Sequence, residues 1–452
     1  MEGQPVIAIF DVGKTNKKLF LFDENYKMVY EKSARFTEVT DEDGEICENL
    51  ESLRRSVYDS LRELIKLKKF DIKAVNFSTY GASFVYINEK GKPLTPLYNY
   101  LKVYPENLHQ QFYGNYGGEE EFSLLTASPI LGSLNSGLQL YRLKHEQPEI
   151  YKQTKYALHL PQYLSYLLTN QAYSDMTSIG CHTGLWDFSK KAYHEWVEKE
   201  GIGAKLALIL PGDEVIETKF GGVSFKVGAG LHDSSAALIP YLVSFTEPFI
   251  LLSTGTWCIS FNPFNEEPLT VDELKADSLN YLQYKGKPVK ASRLFAGYQH
   301  EQQVKRITAH FKQDSLRYRN MEFDPMVVAT LEMRLDQTIN FDDRDMNTFD
   351  DDTTAYHQLM MDIIRQQKVA TQLVLKGTKV KRIFVDGGFS KNSIFMHLLA
   401  VSFPELEVFA ASMAQATAVG TALALHNSWN KKPFPHDLIE LKYYSVKKSP
   451  IL

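Results

Sequence analysis

Three glycine turns and one aspartate carry the residue types that could do chemistry in this chain. The first turn is Asp11-Val12-Gly13-Lys14-Thr15-Asn16, with Lys17 and Lys18 behind it. The second is Thr254-Gly255-Thr256, and the third is Asp386-Gly387-Gly388-Phe389-Ser390-Lys391-Asn392. Each follows a short apolar run of the buried-strand type, at 6–10, 249–253 and 383–385. A glycine turn frees backbone N–H groups, and such groups bind phosphate. In α/β sheets, turns at strand ends are where ligands sit. Taken singly, each turn is equally an ordinary hairpin or strand end in which glycine supplies positive φ. The aspartate is Asp233, which opens a helix after Gly228-Ala229-Gly230-Leu231-His232. A carboxylate beside phosphate turns can take the proton from a hydroxyl that attacks the γ-phosphate of ATP. A lone Asp at a helix start is otherwise a cap.

Other chemistries are excluded by spacing. A P-loop needs a glycine five residues before its Gly-Lys pair, and that position is Ala8. A second strand also follows where a helix should begin. The acidic stretch 341–352 lacks the glycine and terminal Glu of a calcium loop, so it reads as a solvated loop and helix start. Cys47, Cys181 and Cys258 are too few and scattered for a zinc site or a disulfide framework. The 12 His residues show no metal-ligand spacing on one helix face.

The elements that must position these turns alternate. A strand at 6–10 and another at 19–22 make a hairpin around Gly13. An amphipathic helix follows at 50–69, with Leu53, Val57, Leu61, Leu64 and Ile65 at helical spacing. Short strands are expected at 74–78 and 84–87, and helices at 138–145 and 161–168. In the second half, strands at 249–253 and 257–261 flank Gly255. A helix is expected at 356–376, preceded by Asp350-Asp351-Asp352 as capping and dipole-matched charge. A strand at 383–385, a helix at 393–403, a strand at 408–410 and an Ala-rich helix at 414–426 complete it. Strand–turn–strand units head both halves, so two α/β domains of similar architecture are expected, 1–245 and 246–452.

At 452 residues there is room for two or three domains. A net charge of −5 argues against nucleic acid as the main partner. No apolar run approaches the about 20 residues of a membrane span, and no signal-peptide pattern is visible. A cytoplasmic protein with a small-molecule partner is expected, and a homodimer stays open.

These pieces, in this order, resemble the FGGY carbohydrate kinases over nearly the whole chain, and the rhamnulokinase-like branch in particular. The family's first phosphate motif is matched by 11–18. Its central signature is matched by His159-Leu160-Pro161-Gln162-Tyr163 through Thr169, with Thr177 and Gly184-Leu185-Trp186-Asp187. The catalytic segment is matched by 230–237, the second phosphate motif by 253–257, and the adenosine motif by 386–392. The resemblance implies two actin-like ATPase domains of the ribonuclease H type, with ATP, Mg²⁺ and a sugar in the cleft between them. It implies Asp233 as catalytic base and Asp11 as the Mg²⁺ residue. Gly13, Lys14, Thr15, Asn16, Lys18, Gly255 and Thr256 would meet the phosphates, with Gln302, Gly387, Gly388 and Asn392 toward the nucleotide. Tyr80, Gly81, His232 and Ser234 would meet the sugar, alongside Asp233.

Three departures accompany the resemblance. Lys14 stands where the family usually has a small residue. Tyr80-Gly81-Ala82-Ser83 lacks the family's acidic residue after Trp-Gly-x. Tyr98-Asn99-Tyr100-Leu101-Lys102 replaces Tyr-Arg-Asp-x-Arg. The last two segments shape the sugar pocket, so they bear on substrate more than on reaction. The implied activity is ATP-dependent phosphorylation of a ketose such as rhamnulose, fuculose, xylulose or ribulose. Its rivals are a nucleotide-binding regulator on the same scaffold and a kinase for a small polyol such as glycerol.

Overall fold

The computed structural model describes residues 3–14, 16–435 and 437–444. The N-terminal sheet starts with an antiparallel meander: β1 (Gln4–Val12), β2 (Lys17–Phe22) and β3 (Met28–Ala34). Helix α1 (Leu50–Leu67) crosses to β4 (Phe70–Thr79), which pairs in parallel with β1. Asn49 caps α1 by accepting from the Ser52 N–H at 2.9 Å. Leu53, Val57, Leu61 and Leu64 form its buried stripe. The edge is built by β5 (Val215–Phe220) and β6 (Val223–Gly228), while the short β7 (Leu231–His232) lies beside β4. The spatial order is β5-β6-β4-β1-β2-β3. The central run of β1 is buried residue after residue, as expected for a strand covered on both faces.

After α2 (Asp233–Ser244) the second sheet repeats the plan. Four antiparallel strands, β8 (Phe249–Thr254), β9 (Cys258–Asn262), β10 (Ser278–Leu282) and β11 (Pro288–Leu294), come first. Helices α3 (Ala296–Phe311) and α4 (Asp352–Leu375) follow. Then β12 (Arg382–Gly387), α5 (Ser393–Ser402) and β13 (Glu407–Ser412) continue in parallel with β8. The order is β10-β11-β9-β8-β12-β13, with β14 (Glu440–Tyr444) at the edge. In both sheets a set of antiparallel strands continues into two parallel strands, which is the duplicated α/β architecture the sequence predicts. Asp351 caps α4 in a reciprocal box with Thr354.

Some elements escape the sequence pattern. All five residues of β10 are buried although Ser278-Leu279-Asn280-Tyr281 alternate polar and apolar, so neither a continuous apolar run nor a solvent-facing side marks this strand. Helices Glu106–Asn115 and Gly118–Thr126 form part of an insertion that the motifs do not mark. Among the described residues no helix is long and apolar enough to cross a membrane.

The sheets meet through two crossed helices, α2 and α6 (Ala416–Ala424). One side of α2 places Ala236 and Ile239 against Ile7, Ile9 and Phe20 of the first sheet, together with Ala418 and Ala422 of α6. Its other side places Leu238 and Tyr241 against Phe249, Leu251 and Phe384 of the second. The crossing is close: a Cβ at Gly420 would stand 1.9 Å from the Ala236 carbonyl oxygen. Alanine normally stabilises a helix by about 1 kcal/mol over glycine. Gly420→Ala is expected to do the reverse, costing about 1–3 kcal/mol as the helices separate, read as a lowered melting temperature. A melting temperature at or above that of the parent would refute the close packing.

Candidate active site

The register of the first sheet sets out the polar groups. Asp11 of β1 lies beside Ser78 of β4, and Ser78 lies beside Leu231 of β7. Asp233 follows two residues later, at the first turn of α2. Ser78 Oγ donates to Asp11 Oδ1 at 3.0 Å. Burial raises the Asp11 carboxyl to about 6; the Ser78 hydrogen bond opposes this, and the negative charge of Asp233 adds to it. Burial also raises Asp233 to about 6, against the hydrogen bonds from Ser234. The negative charge of Asp233 thus reaches Asp11, and burial disfavours the ionised form of both.

Asp233 is not the cap of its helix. His232 occupies that position, and Asp233 Oδ1 accepts from its neighbour's Ser234 N–H at 2.6 Å and Ser234 Oγ at 3.3 Å. Its Oδ2 makes no hydrogen bond among the described residues. The side chain is 34% exposed. The turn that delivers it is fixed from below. Gly230 has φ +90°, and a Cβ there would lie 2.6 Å from the Pro161 carbonyl oxygen. Asn76 Oδ1 accepts the Gly230 N–H at 3.2 Å, and Asn76 Nδ2 reaches the Thr421 carbonyl of α6 at 3.0 Å. This buried asparagine ties the turn before Asp233 to the joint between the sheets. Its lone sequence position gave no signal.

The lysines of the first turn sort by partner. Lys17 pairs with Glu48 at 2.5 Å and donates to the Lys14 carbonyl, and Glu48 in turn accepts from Tyr80 Oη at 2.7 Å. Lys18 pairs with Glu31 of β3 at 2.8 Å. The Lys14 ammonium lies over the rings of Tyr80 and Tyr100, 5.5 and 5.4 Å from their centres. The Gly13 N–H closes the turn on the Asn16 carbonyl at 2.9 Å, and the Asn16 side chain is exposed. Thr15 lies outside the described residues.

The predicted sugar-side residues converge. A Cβ at Gly81 would lie 3.0 Å from the His232 ring and 3.2 Å from Cys181 Sγ. His232 Nε2 is 3.2 Å from both Cys181 Sγ and Asp233 Oδ1, and the His232 N–H donates to Thr177 Oγ1 at 2.8 Å. Tyr281 of β10 stacks on the His232 ring at 5.9 Å, so the second sheet closes this pocket. Burial lowers His232 to about 4, which keeps it neutral near pH 7. Cys181 and Tyr281 carry no motif and were legible only in three dimensions.

The second sheet supplies a cavity of about 850 Å³ lined by Gly255, Gly297, His300, Tyr356, Gly388 and Asn392 among others. Thr254 holds its two turns together. Its carbonyl accepts the Gly388 N–H at 2.8 Å, while its hydroxyl donates to the Asp386 carbonyl and accepts the Phe389 N–H at 3.0 Å. The Gly255 N–H closes on the Trp257 carbonyl at 2.9 Å, repeating the closure at Gly13. Thr256 stands exposed at the apex of its turn. Gly387 has φ +91° and packs directly on Thr254. Asn392 caps α5 and donates to Tyr356 Oη at 2.7 Å, and His300 Nε2 lies 2.9 Å from the same hydroxyl. Gln302 lies half-buried on α3 and is not among the residues lining the cavity; its neighbours His300, Glu301 and Val304 are.

The residues present fit a hard divalent cation bound together with phosphates. Asp11 and Asp233 offer carboxylate oxygens whose mutual repulsion a dication would relieve. Among the described residues no group of three or more His, Cys, Asp or Glu forms a self-sufficient metal site, which suits a cation that takes its other ligands from a nucleotide and water.

Two sheets of repeated topology, each with a glycine turn after its first strand, define a two-domain protein with the actin-like ATPase fold. Residues 6–228 match the model of the FGGY family of carbohydrate kinases, N-terminal domain, and residues 246–433 match carbohydrate kinase FGGY, C-terminal domain. The chain belongs to the FGGY family of carbohydrate kinases. It is 24% identical over 261 residues to a rhamnulokinase of Halalkalibacterium halodurans, covering 55% of this chain and 54% of that protein. The chain thus spans about half the length of the curated relatives it matches. A carbohydrate kinase from Novosphingobium aromaticivorans has the same fold, with a TM-score of 0.81 at 22% identity over 98% of this chain and 94% of that one. Ligand-bound xylulose kinase from Lactobacillus acidophilus aligns at 0.77 and 16% identity, over 98% and 94%.

Proposed function

We propose that this chain transfers the γ-phosphoryl group of ATP to a sugar hydroxyl. Rhamnulose, fuculose, xylulose and ribulose are the neutral ketoses first in line, and the cytoplasm is the proposed location. The observation that carries the reading is Asp233. Its Oδ2 is without a hydrogen-bond partner among the described residues, its carboxyl is raised to about 6, and its side chain is 34% exposed.

The chemistry follows from that placement. The sugar hydroxyl donates to Asp233, which takes its proton as the oxygen attacks the γ-phosphorus. The new O–P bond forms as the bond to ADP breaks, and the proton stays on the carboxylate until release. Neutral His232 holds Asp233 from one side without competing for its charge. The turns around Gly13 and Gly255 would hold the phosphates, with the Gly388 turn toward the rest of the nucleotide. Mg²⁺, held by Asp11, would spread the negative charge of the phosphates. The two domains, taken as 1–245 and 246–452, each bring one phosphate turn.

ADP release measured with a panel of ketoses, aldoses and polyols tests this reading. Stimulation by a sugar is expected. Stimulation by glycerol alone would make it a small-polyol kinase, and none by any acceptor would leave a nucleotide-binding regulator. Because the two phosphate turns lie on opposite domains, the cleft is also expected to close on nucleotide plus sugar, excluding water from the γ-phosphate. Small-angle scattering should then show a smaller radius of gyration, and superimposable profiles would refute closure.

A further inference from the structure

Apart from Asp11 and Asp233, the carboxylates around the first turn have partners other than Lys14. Glu48 is held by Lys17 and by the Tyr80 hydroxyl. Asp41 and Asp43 share Lys102, at 2.6 and 2.7 Å. Glu31 takes Lys18. Glu42 accepts from the Tyr98 hydroxyl and from Gln147. Lys14 has no carboxylate within ion-pair distance among the described residues. It is half-buried, and its ammonium rests on the faces of Tyr80 and Tyr100, which lie 5.9 Å apart.

Those two rings belong to the acceptor side of the cleft. Tyr80 immediately precedes Gly81, whose Cα faces His232 and Cys181. The Tyr100 hydroxyl is close enough to Asp233 for that carboxylate to raise its pKa, after burial. Tyr100 is therefore a wall shared by the base and by the Lys14 ammonium. Aromatic faces hold a cation at little cost in hydrogen bonds, so its three N–H donors stay available. A positive charge fixed this way beside an acceptor pocket, with no counter-charge of its own, is complementary to an anion on the ligand.

We propose that the acceptor is a sugar acid, and that Lys14, caged by Tyr80 and Tyr100, binds its carboxylate at the end remote from the hydroxyl attacked at Asp233. This rests on the kinase reading and puts aldonates in place of the neutral ketoses as its substrate class. Lys14 is then a specificity residue of the acceptor site, whereas its position in the chain suggests the phosphates of ATP.

The test compares ADP release with aldonates, the matched aldoses and the ketoses, in the parent protein, Lys14→Met and Lys14→Arg. Melting temperatures without ligand control for folding. The parent is expected to favour an aldonate over its matched neutral sugar by at least about tenfold in kcat/KM, the usual worth of one charged contact. Lys14→Met should collapse that ratio through KM of the aldonate, and Lys14→Arg should restore it in part. Thermal stabilisation by the aldonate, measured without nucleotide, should fall in parallel. If a neutral ketose is preferred and the ratio survives Lys14→Met, the proposal fails while the kinase reading stands. If Lys14→Met raises KM for ATP equally with every acceptor, Lys14 serves the phosphates and the proposal also fails. If no acceptor of either kind releases ADP or stabilises the parent, both readings fall.

Discussion

Asp233→Asn is expected to lower kcat by about 10²–10⁴ while leaving nucleotide and acceptor binding in place, because a general base typically contributes that much. The amide keeps the shape, and its Oδ1 still accepts the Ser234 N–H that the carboxylate accepts at 2.6 Å. What it loses is the ability to take a proton. A helix-cap role predicts a different result, since Asn caps as well as Asp does, and here the cap position belongs to His232. The measurement is kcat together with direct binding constants. A mutant with near-normal turnover removes Asp233 from the mechanism.

The same residue predicts a pH profile and a stability change with a definite sign. The base works when deprotonated, and burial raises it from 3.8 to about 6. Activity should therefore rise with pH and level off above about 6, and Asp233→Asn should flatten that limb. A raised folded-state pKa means that the ionised form is disfavoured by folding. Stability linked to Asp233 is then greatest at low pH and is lost as pH rises from about 4 to about 6. At pH 8 the asparagine variant should melt no lower than the parent. A melting temperature several degrees lower would show that the carboxylate is a structural support.

The division between what the sequence made legible and what it hid has a physical basis. A strand covered on both faces is a continuous apolar run, so β1, β8 and β12 could be read directly, together with the glycine turns that end them. Helix α1 was legible from its spacing, ending two residues earlier than expected where Lys68 turns left-handed. Groups whose role comes from pairing across the fold were not legible. Thr254 binds a turn more than a hundred residues away in sequence, with |i−j| of 132 and 135 for its two side-chain bonds. Tyr356 looks like one more apolar position of α4, yet its hydroxyl joins His300 to Asn392 at the cavity wall. Lys14 shows a further limit. Its place in the chain is the Gly13 turn, but a four-carbon stem carries its charge onto Tyr80 and Tyr100. Spacing along the chain places backbones, and long side chains can act elsewhere.

The same distinction separates two glycines that look alike in sequence. Gly255 and Gly387 both end a buried strand and both are proposed nucleotide contacts. A Cβ at Gly255 would find only the Trp257 carbonyl oxygen, at 3.8 Å, an ordinary contact. A Cβ at Gly387 would stand 1.9 Å from the Thr254 carbonyl, on a residue whose φ of +91° disfavours any side chain. Gly255→Val should therefore fold normally and put its methyl groups into the cavity, between the turn's backbone and the phosphates. Loss of two charge-assisted hydrogen bonds at about 1.5 kcal/mol each corresponds to roughly 10²-fold in nucleotide affinity. Gly387→Val should instead push β12 away from β8 and break the Thr254 staple, lowering the melting temperature before any ligand is added. Nucleotide titration and thermal melts of the two variants separate the effects. Intact nucleotide affinity in a folded Gly255→Val protein would show that the phosphates do not approach this turn. A parent-like melt for Gly387→Val would mean that the two turns are not packed as described.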